Sequence, residues 1–426
     1  MLYWLGVAGF ALAILISVSL HEAGHMITAK RFGMKVTRYF VGFGPTVFSF
    51  RRGETEYGLK AIPLGGFCKI VGMTPQDDDV APEDQPRAMW RFPVWKRTIV
   101  MSAGSITHFL LALVATWIAA FTFGLQNTSY PTTTADTLPE KAVIDVPSCV
   151  WTGNAPAGAT QDDCKPGVDG AVAGPAYAAG LRDGDLITSV GGTPITNYGD
   201  LVNKIRSLPA GKVAFDYTRN GTPATAEVNL ISAERSAITD DSEDAKTTKV
   251  SIAAILWDQD SIPSMIKYNP ASAVPATFDY GWFLVDNTFE AMKRIPDKIP
   301  ALWHSITGDE RDPDTPISVV GASRLGGEAI ANGVPQLFLT IFISLNVFIG
   351  IFNLLPLLPL DGGHIAIAWY ERARSWLYGR LKKPDPGRVD YYKLMPVTYA
   401  VILIGGAFTL LTVTADIVNP ITIFNR

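Results

Sequence analysis

His21-Glu22-Ala23-Gly24-His25 closes a run of about twenty apolar residues that begins at Met1, so a metal-binding pattern ends a segment fit to cross a bilayer. On a helix, residues four apart share a face. His21 and His25 can therefore turn imidazole nitrogens toward one tetrahedral zinc, with Glu22 beside the ion's open position. Three ionisable side chains next to hydrocarbon are costly unless a partner or a function keeps them, which sets this pattern apart from the same spacing in a soluble helix. A cleaved signal peptide does not fit the segment. It has no basic leader and no small-residue cleavage site, and cleavage would discard the His pair.

A third ligand is expected on the same side of the membrane. The run from Asn353 through Pro356, Pro359 and Asp361 to Gly362, Gly363 and His364 ends another apolar segment that begins near Val334. Asp361 offers the carboxylate. Pro356 and Pro359 remove helical donors, and Gly362 and Gly363 are expected to let the backbone turn sharply, so that Asp361 is aimed at the metal. Broken helices at membrane depth are tolerated where they line a cavity.

Residues 3–27, 98–124, 334–358 and 395–416 are long and apolar enough to span. Spans one and three run in the same direction, which brings the His pair and Asp361 to one face. Lys30, Arg31, Lys35, Arg38, Arg51, Arg52, Lys96 and Arg97 follow span one, and Arg372, Arg374, Arg380, Lys382, Lys383 and Arg388 follow span three. By the positive-inside rule both stretches are cytoplasmic. The metal then lies near the cytoplasmic side, with the N-terminus, the long middle region and the C-terminus outside.

Hydrophobic residues make up 48% of the 426, because the spans are diluted by a polar middle, and the net charge of −4 argues against nucleic-acid binding. Cys149 and Cys164 flank a Gly/Ala/Asp-rich loop in the outer region and are expected to pair there. Cys68, on the cytoplasmic side, is expected to be reduced and buried.

The chain resembles the intramembrane site-2 zinc metalloproteases, and more closely the RseP-like members of the actinobacterial Rip type. The resemblance rests on HEAGH at 21–25, Gly42-Phe43-Gly44-Pro45 followed by Ile62-Pro63-Leu64-Gly65-Gly66-Phe67, a PDZ-like insert between spans two and three, and the Asn353 to Gly363 run. It implies zinc held by His21, His25 and Asp361, Glu22 as catalytic acid/base, and Asn353 holding the substrate backbone or the oxyanion. The chemistry of the residues agrees: zinc acidifies bound water, and Glu22 takes a proton and returns it to the leaving nitrogen. His108 and Ser105 depart from the family's Gly-Pro-x-x-Asn context in span two. A helix–helix hydrogen bond is the expected role of His108, solvation that of His364, and an interfacial position that of His304.

This reading gives an α-helical polytopic membrane protein with four transmembrane helices, a membrane-associated β-hairpin region and one extracytoplasmic PDZ-like α+β domain. Its parts are span one with HEAGH (1–30), a cytoplasmic-side β region and linker (31–97), span two (98–126), the PDZ-like domain (127–260), interfacial amphipathic helices (261–333), span three with the Asn353 to Gly363 run (334–370), a cytoplasmic basic loop (371–394), and span four with the C-terminus (395–426). In the β region, 36–41, 46–50, 55–62 and 67–71 read as short strands whose edge can catch an unwound substrate, and 75–86 reads as a mobile linker. In the insert, 176–181 and 200–208 read as helices, 182–187 as a turn and strand, and 213–219 as a strand closed by an Asn220-Gly221 hairpin turn.

The expected function is intramembrane zinc endopeptidase at the plasma (inner) membrane, acting on single-span membrane proteins such as a pre-trimmed anti-sigma factor, with the lipid bilayer as its other partner. The alternative is a catalytically silent scaffold or quality-control receptor of the same fold. The intact set His21, Glu22, His25 and Asp361 discriminates between them, because a silent relative is free to lose any member. Four spans with a zinc-type ligand set do not suggest a transporter.

Overall fold

A chain segment surrounded by hydrocarbon must satisfy its own backbone N–H and C=O groups, and a helix does so within one segment. The structure, a computed structural model, describes residues 1–73, 80–128, 141–153, 163–235, 248–258 and 265–423. In chain order its helices are α1 (Leu2–Arg31), α2 (Val94–Thr122), α3 (Pro175–Ala178), α4 (Tyr198–Ser207), α5 (Ala273–Thr307), α6 (Val319–Ala331), α7 (Pro335–Asn353), α8 (Asp361–Arg380) and α9 (Met395–Val418). Four helical stretches among the described residues are long and apolar enough to cross a membrane: Leu2–Arg31, Val94–Thr122, Pro335–Asn353 and Tyr391–Val418. The chain divides into two units, one built from Met1–Leu125 with Lys267–Arg426, the other from Gln126–Ile266.

In the first unit α1 carries a single buried stripe, Gly6, Phe10, Ile14, Ser17, His21, His25 and Ala29, spaced three or four apart as one helical face requires. The opposite face exposes Trp4, Leu12, Ile16 and Ile27, apolar side chains suited to lipid and costly in water. The upper stripe packs on α6. A Cβ on Gly6 would lie 2.8 Å from the Gly327 Cα, and one on Gly326 2.8 Å from the Phe10 ring, so the helices touch backbone to backbone.

Residues 261–333 therefore hold two helices of different character. α5 is one continuous helix of 35 residues with Phe278 and Trp282 exposed. α6 is instead an internal helix, because Gly321, Ala322, Ser323, Gly326, Gly327 and Ala329 leave too little side chain to hold neighbours away. Arg311 and Asp416, both almost fully buried, form an ion pair at 2.7 Å, and Asp416 also accepts the Ser318 N–H at 2.7 Å. This ties the start of α6 to the end of α9.

Between α1 and α2 the chain forms β1 (Val36–Arg52) and β2 (Thr55–Ile70), paired antiparallel. The four short strands expected from sequence are arms of these two long ones. Tyr39 lies opposite both Cys68 and Tyr57, and Phe40 opposite both Phe67 and Gly58, so the first arm of β1 has a neighbour on each side. The expected turns are corners within strands. Gly42 and Gly44 take positive φ in β1 and Gly65 in β2, and a Cβ on Gly42 would meet the Ile62 carbonyl at 2.7 Å. Of the expected linker, residues 74–79 lie outside the described residues. Its later part is a short 3-10 helix, Pro82–Arg87, held by Lys35 to Asp84 at 2.6 Å and by a bidentate Arg87–Glu54 pair at 2.6 and 2.7 Å. That part is tied down, contrary to the expected mobile linker.

The chain leaves regular helix after Asn353 and re-enters it at Asp361. α8 then runs to Arg380, so the first half of the expected basic loop is helical. Gly362 and Gly363 do not turn the chain. They sit in the first turn of α8, where a Cβ on Gly362 would lie 2.2 Å from the Leu354 carbonyl oxygen and one on Gly363 2.6 Å from the Leu358 nitrogen. Their use is close approach: only hydrogen fits between the helix start and the proline-broken segment beneath it.

The second unit holds a seven-stranded sheet, in the order 248–252, 222–235, 211–219, 185–190, 143–145 and 256–257, with 193–194 beside 185–190. α4 starts at an Asn197 cap, whose side chain accepts the Asp200 N–H at 2.8 Å, and buries Leu201 and Ile205 against Phe215 and Val228. The 211–219 and 222–235 strands are joined through Asn220 and Gly221, both at positive φ as a tight hairpin needs. Cys149 and Cys164 are disulfide-bonded and Cys68 is free, as the sequence reading expected, although Cys68 is half-buried where burial was expected.

Candidate metal centre

α1 and α8 meet where their chemistry is concentrated. His21 Nε2 and His25 Nε2 lie 3.1 Å apart, and Asp361 Oδ2 lies 3.4 Å from the first and 3.2 Å from the second. A tetrahedral ion with bonds of about 2.0–2.2 Å has ligand atoms roughly 3.3–3.6 Å from one another. The triangle, with sides of 3.1, 3.2 and 3.4 Å, is close to the lower end of that range.

The hydrogen-bond pattern says what the triangle needs. His25 Nδ1 donates to the Val100 carbonyl at 2.7 Å, so in the neutral ring Nε2 carries a lone pair, and that lone pair faces the other two acceptors. Asp361 Oδ2 is buried with no well-formed hydrogen bond, and so is His21 Nδ1. Three electron-rich atoms converging in a buried site repel one another unless a cation lies among them. His21, His25 and Asp361 also form the one group among the described residues with metal-ligand chemistry and spacing.

α2 forms the wall. A Cβ on Gly104 would lie 2.4 Å from His21 Cε1 and 2.5 Å from His25 Nε2, so the helix backbone rests directly on both rings. Behind His21 is a polar network that joins three helices: His108 Nδ1 is 2.8 Å from Asn346 Oδ1 and 3.1 Å from Ser17 Oγ, while Ser17 also donates to Asn346 Oδ1. Asn346 Nδ2 donates to the Phe342 carbonyl at 2.8 Å, which fixes which end of the amide meets His108. The His108 and His21 ring centroids are 5.0 Å apart. His108 thus makes the helix–helix hydrogen bond expected of it. Sequence reasoning missed Ser17 and Asn346, although Ser17 is one turn before His21 on the same stripe and Asn346 is an amide in the middle of an apolar segment.

Glu22 stands beside the triangle with β2 against it. A Cβ on Gly66 would be 3.6 Å from Glu22 Cγ. The β region therefore borders the acid/base candidate directly. Asn353 ends α7 half-buried and makes no hydrogen bond to the triangle among the described residues. His364 is half-buried with its ring stacked on Tyr391 at 5.9 Å, where solvation was expected, because α8 turns it toward the segment leading into α9. His304 is exposed near the end of α5, 3.4 Å from Asp309.

Comparison with known proteins agrees with this geometry. The model of "Peptidase family M50" matches residues 9–383. Zinc metalloprotease Rip1 of Mycolicibacterium smegmatis is 42% identical over 428 residues, and Zinc metalloprotease Rip1 of Mycobacterium tuberculosis 41% over 424, each alignment covering both chains in full. Protease RseP of Yersinia pestis is 26% identical over 432 residues, covering 86% of this chain and 91% of the relative. With the matched region spanning both halves of the His–Asp triangle, the chain belongs to peptidase family M50, as a multi-pass membrane protein.

Proposed function

We propose that this zinc metalloprotease cleaves single-span membrane proteins within or at the edge of the bilayer, with zinc held by His21, His25 and Asp361. The observation that carries the reading is the buried triangle of three lone-pair donors with sides of 3.1, 3.2 and 3.4 Å. Held by His21, His25 and Asp361, a zinc ion would supply Lewis-acid polarisation of a water and of the scissile carbonyl. Glu22 accepts the proton lost by the attacking water and delivers it to the departing amine nitrogen, a role open to a carboxylate that is beside the triangle and outside it. Val100 and Gly104 hold the His rings in place, and Asn353 presents an amide for the substrate backbone or the developing oxyanion.

A helical substrate hides its peptide bonds in its own hydrogen bonds, so it must be unwound first. β2, with Gly66 against Glu22, offers a strand along which an extended segment can lie. The second unit, read as a PDZ-like module on the outer face, selects which substrates arrive and takes no part in bond cleavage. A pre-trimmed anti-sigma factor is the substrate type proposed, and the basic residues after α1 and within α8 argue for a metal site on the cytoplasmic side.

The test is metal analysis beside turnover of a transmembrane peptide. Glu22→Gln should keep zinc and lose several orders of magnitude in turnover, whereas Asp361→Ala should lose both. Near-normal cleavage by Glu22→Gln would overturn the mechanism.

A further inference from the structure

The first turns of α2 touch both halves of the metal site. Val100 accepts the His25 Nδ1 proton at 2.7 Å, which fixes the α1 side. Three residues earlier, Arg97 Nη1 donates to Glu371 Oε2 of α8 at 3.3 Å, and the neighbouring Thr98 Oγ1 accepts the Trp369 Nε1 proton at 3.0 Å. Glu371 uses its second oxygen to accept the Val389 N–H at 2.9 Å. Both members of the ion pair are buried, with side chains 9% and 11% exposed.

A buried ion pair is poor evidence for stability as such, since taking two charges out of water offsets most of their attraction. What it does supply is register. Glu371 lies ten residues after Asp361 on the same continuous helix, about 15 Å along its axis. Asp361 sits at the start of α8, whose first turn rests on the proline-broken segment through Gly362 and Gly363. That contact sets the near end of the helix, while the direction of the α8 axis, which also decides where the carboxylate falls, is tied to the same helix that holds His25. The guanidinium makes one contact to the carboxylate, and the Trp369–Thr98 hydrogen bond beside it supplies a second point of attachment between α2 and α8.

We infer that Arg97, acting through Glu371, is a positioning residue that holds Asp361 in register with the His pair, and that zinc retention depends on this tie. The inference rests on the proposed ligand set. Loss of the tie lets the Asp361 end of α8 shift against α1, and the ligand triangle opens while all three ligands remain.

The experiment measures the rate of zinc release from the full-length, zinc-loaded protein in lipid nanodiscs to an excess of a chromogenic chelator, with thermal unfolding recorded in parallel. The paired replacement Arg97→Met with Glu371→Leu removes both buried charges and leaves no unpaired one. It should fold and release zinc about 10–100-fold faster than wild type, the range seen when groups supporting metal ligands are removed. Arg97→Lys, which keeps the charge, should return most of the lost retention. A paired variant that unfolds at the wild-type temperature and releases zinc at the wild-type rate would overturn the inference. Should the paired variant fail to fold, Glu371→Gln keeps an acceptor for Val389, and the same criterion applies to it. Asp361→Ala separates the two levels: full zinc retention by that variant would overturn the ligand set, while its zinc loss beside unchanged release from the paired variant would overturn the role of Arg97 alone.

Discussion

Gly104→Ala adds one methyl group and should empty the metal site. The added carbon would lie 2.4 Å from His21 Cε1, 2.5 Å from His25 Nε2 and 2.6 Å from His21 Nδ1, about 1 Å short of ordinary contact at 3.4 Å. α2 also packs on α7, where the Phe109 ring lies so near the Gly350 backbone that a Cβ there would meet it at 2.9 Å. The imidazole rings are side chains and yield before packed helix backbone does, and a shift near 1 Å exceeds the roughly ±0.2 Å that ligand distances tolerate. The expected result is loss of zinc and of cleavage in a protein that still folds. Zinc is measured by elemental analysis of the purified protein, and fold by circular dichroism and thermal unfolding. Gly406→Ala on α9 is the companion, since its Cβ would meet nothing within 4 Å, and it should leave zinc unchanged. A Gly104→Ala protein with one zinc per chain and normal turnover would refute the argument that backbone contact shapes the site.

Other consequences are checked more simply. Alkylation without reductant should label one cysteine, Cys68, and three after reduction; Cys149→Ser should lower the stability of the 126–266 unit by up to ~3 kcal/mol, the loop-closure value for a separation of 15 residues, read by its denaturation midpoint. Asp416→Asn leaves Arg311 buried and unpaired, so it should destabilise the first unit by about 3–5 kcal/mol in thermal or denaturant unfolding, and a change under 1 kcal/mol would contradict the burial argument. The Arg87 guanidinium holds the Glu54 carboxyl below its ordinary range. A carboxylate depressed in the folded state contributes its stability above the ordinary value of about 4.3 and loses it as pH falls through the lower folded value. Hydrogen exchange at residues 53–56, corrected for intrinsic rate, should thus stay protected at pH 5 and open only in stronger acid; opening between pH 7 and 5 would count against the pair.

How far the sequence was readable depends on whether the determinant is local. His21 and His25 share a face through helical spacing, and Asp361 ends a proline-broken apolar run, so the triangle could be anticipated from short stretches. The network of Ser17, His108 and Asn346 could not, because its members come from three helices and no pattern within any one of them names the partner. Gly362 and Gly363 were misread for a related reason. Sequence shows that glycine permits a turn, whereas here the absent Cβ admits the Leu354 and Leu358 backbone. α6 fell within the 261–333 segment expected to hold interfacial helices; the meaning of its small residues is Gly6 and Phe10, some 320 residues earlier in the chain. Arg97 and Glu371 read as ordinary flanking charges until their separation of 274 residues closes to 3.3 Å.

On the proposed ligand set, 340 residues of synthesis separate the first ligand, His21, from the last, Asp361. At ~5–20 residues per second the ribosome needs roughly 17 to 70 seconds to bridge them. Throughout that interval α1 and its His pair already exist, but zinc has at most two of its three protein ligands and α8 has not been made. A nascent or truncated chain that ends before Asp361 therefore lacks a complete ligand set, and the metal site can close only after the last ligand has been made.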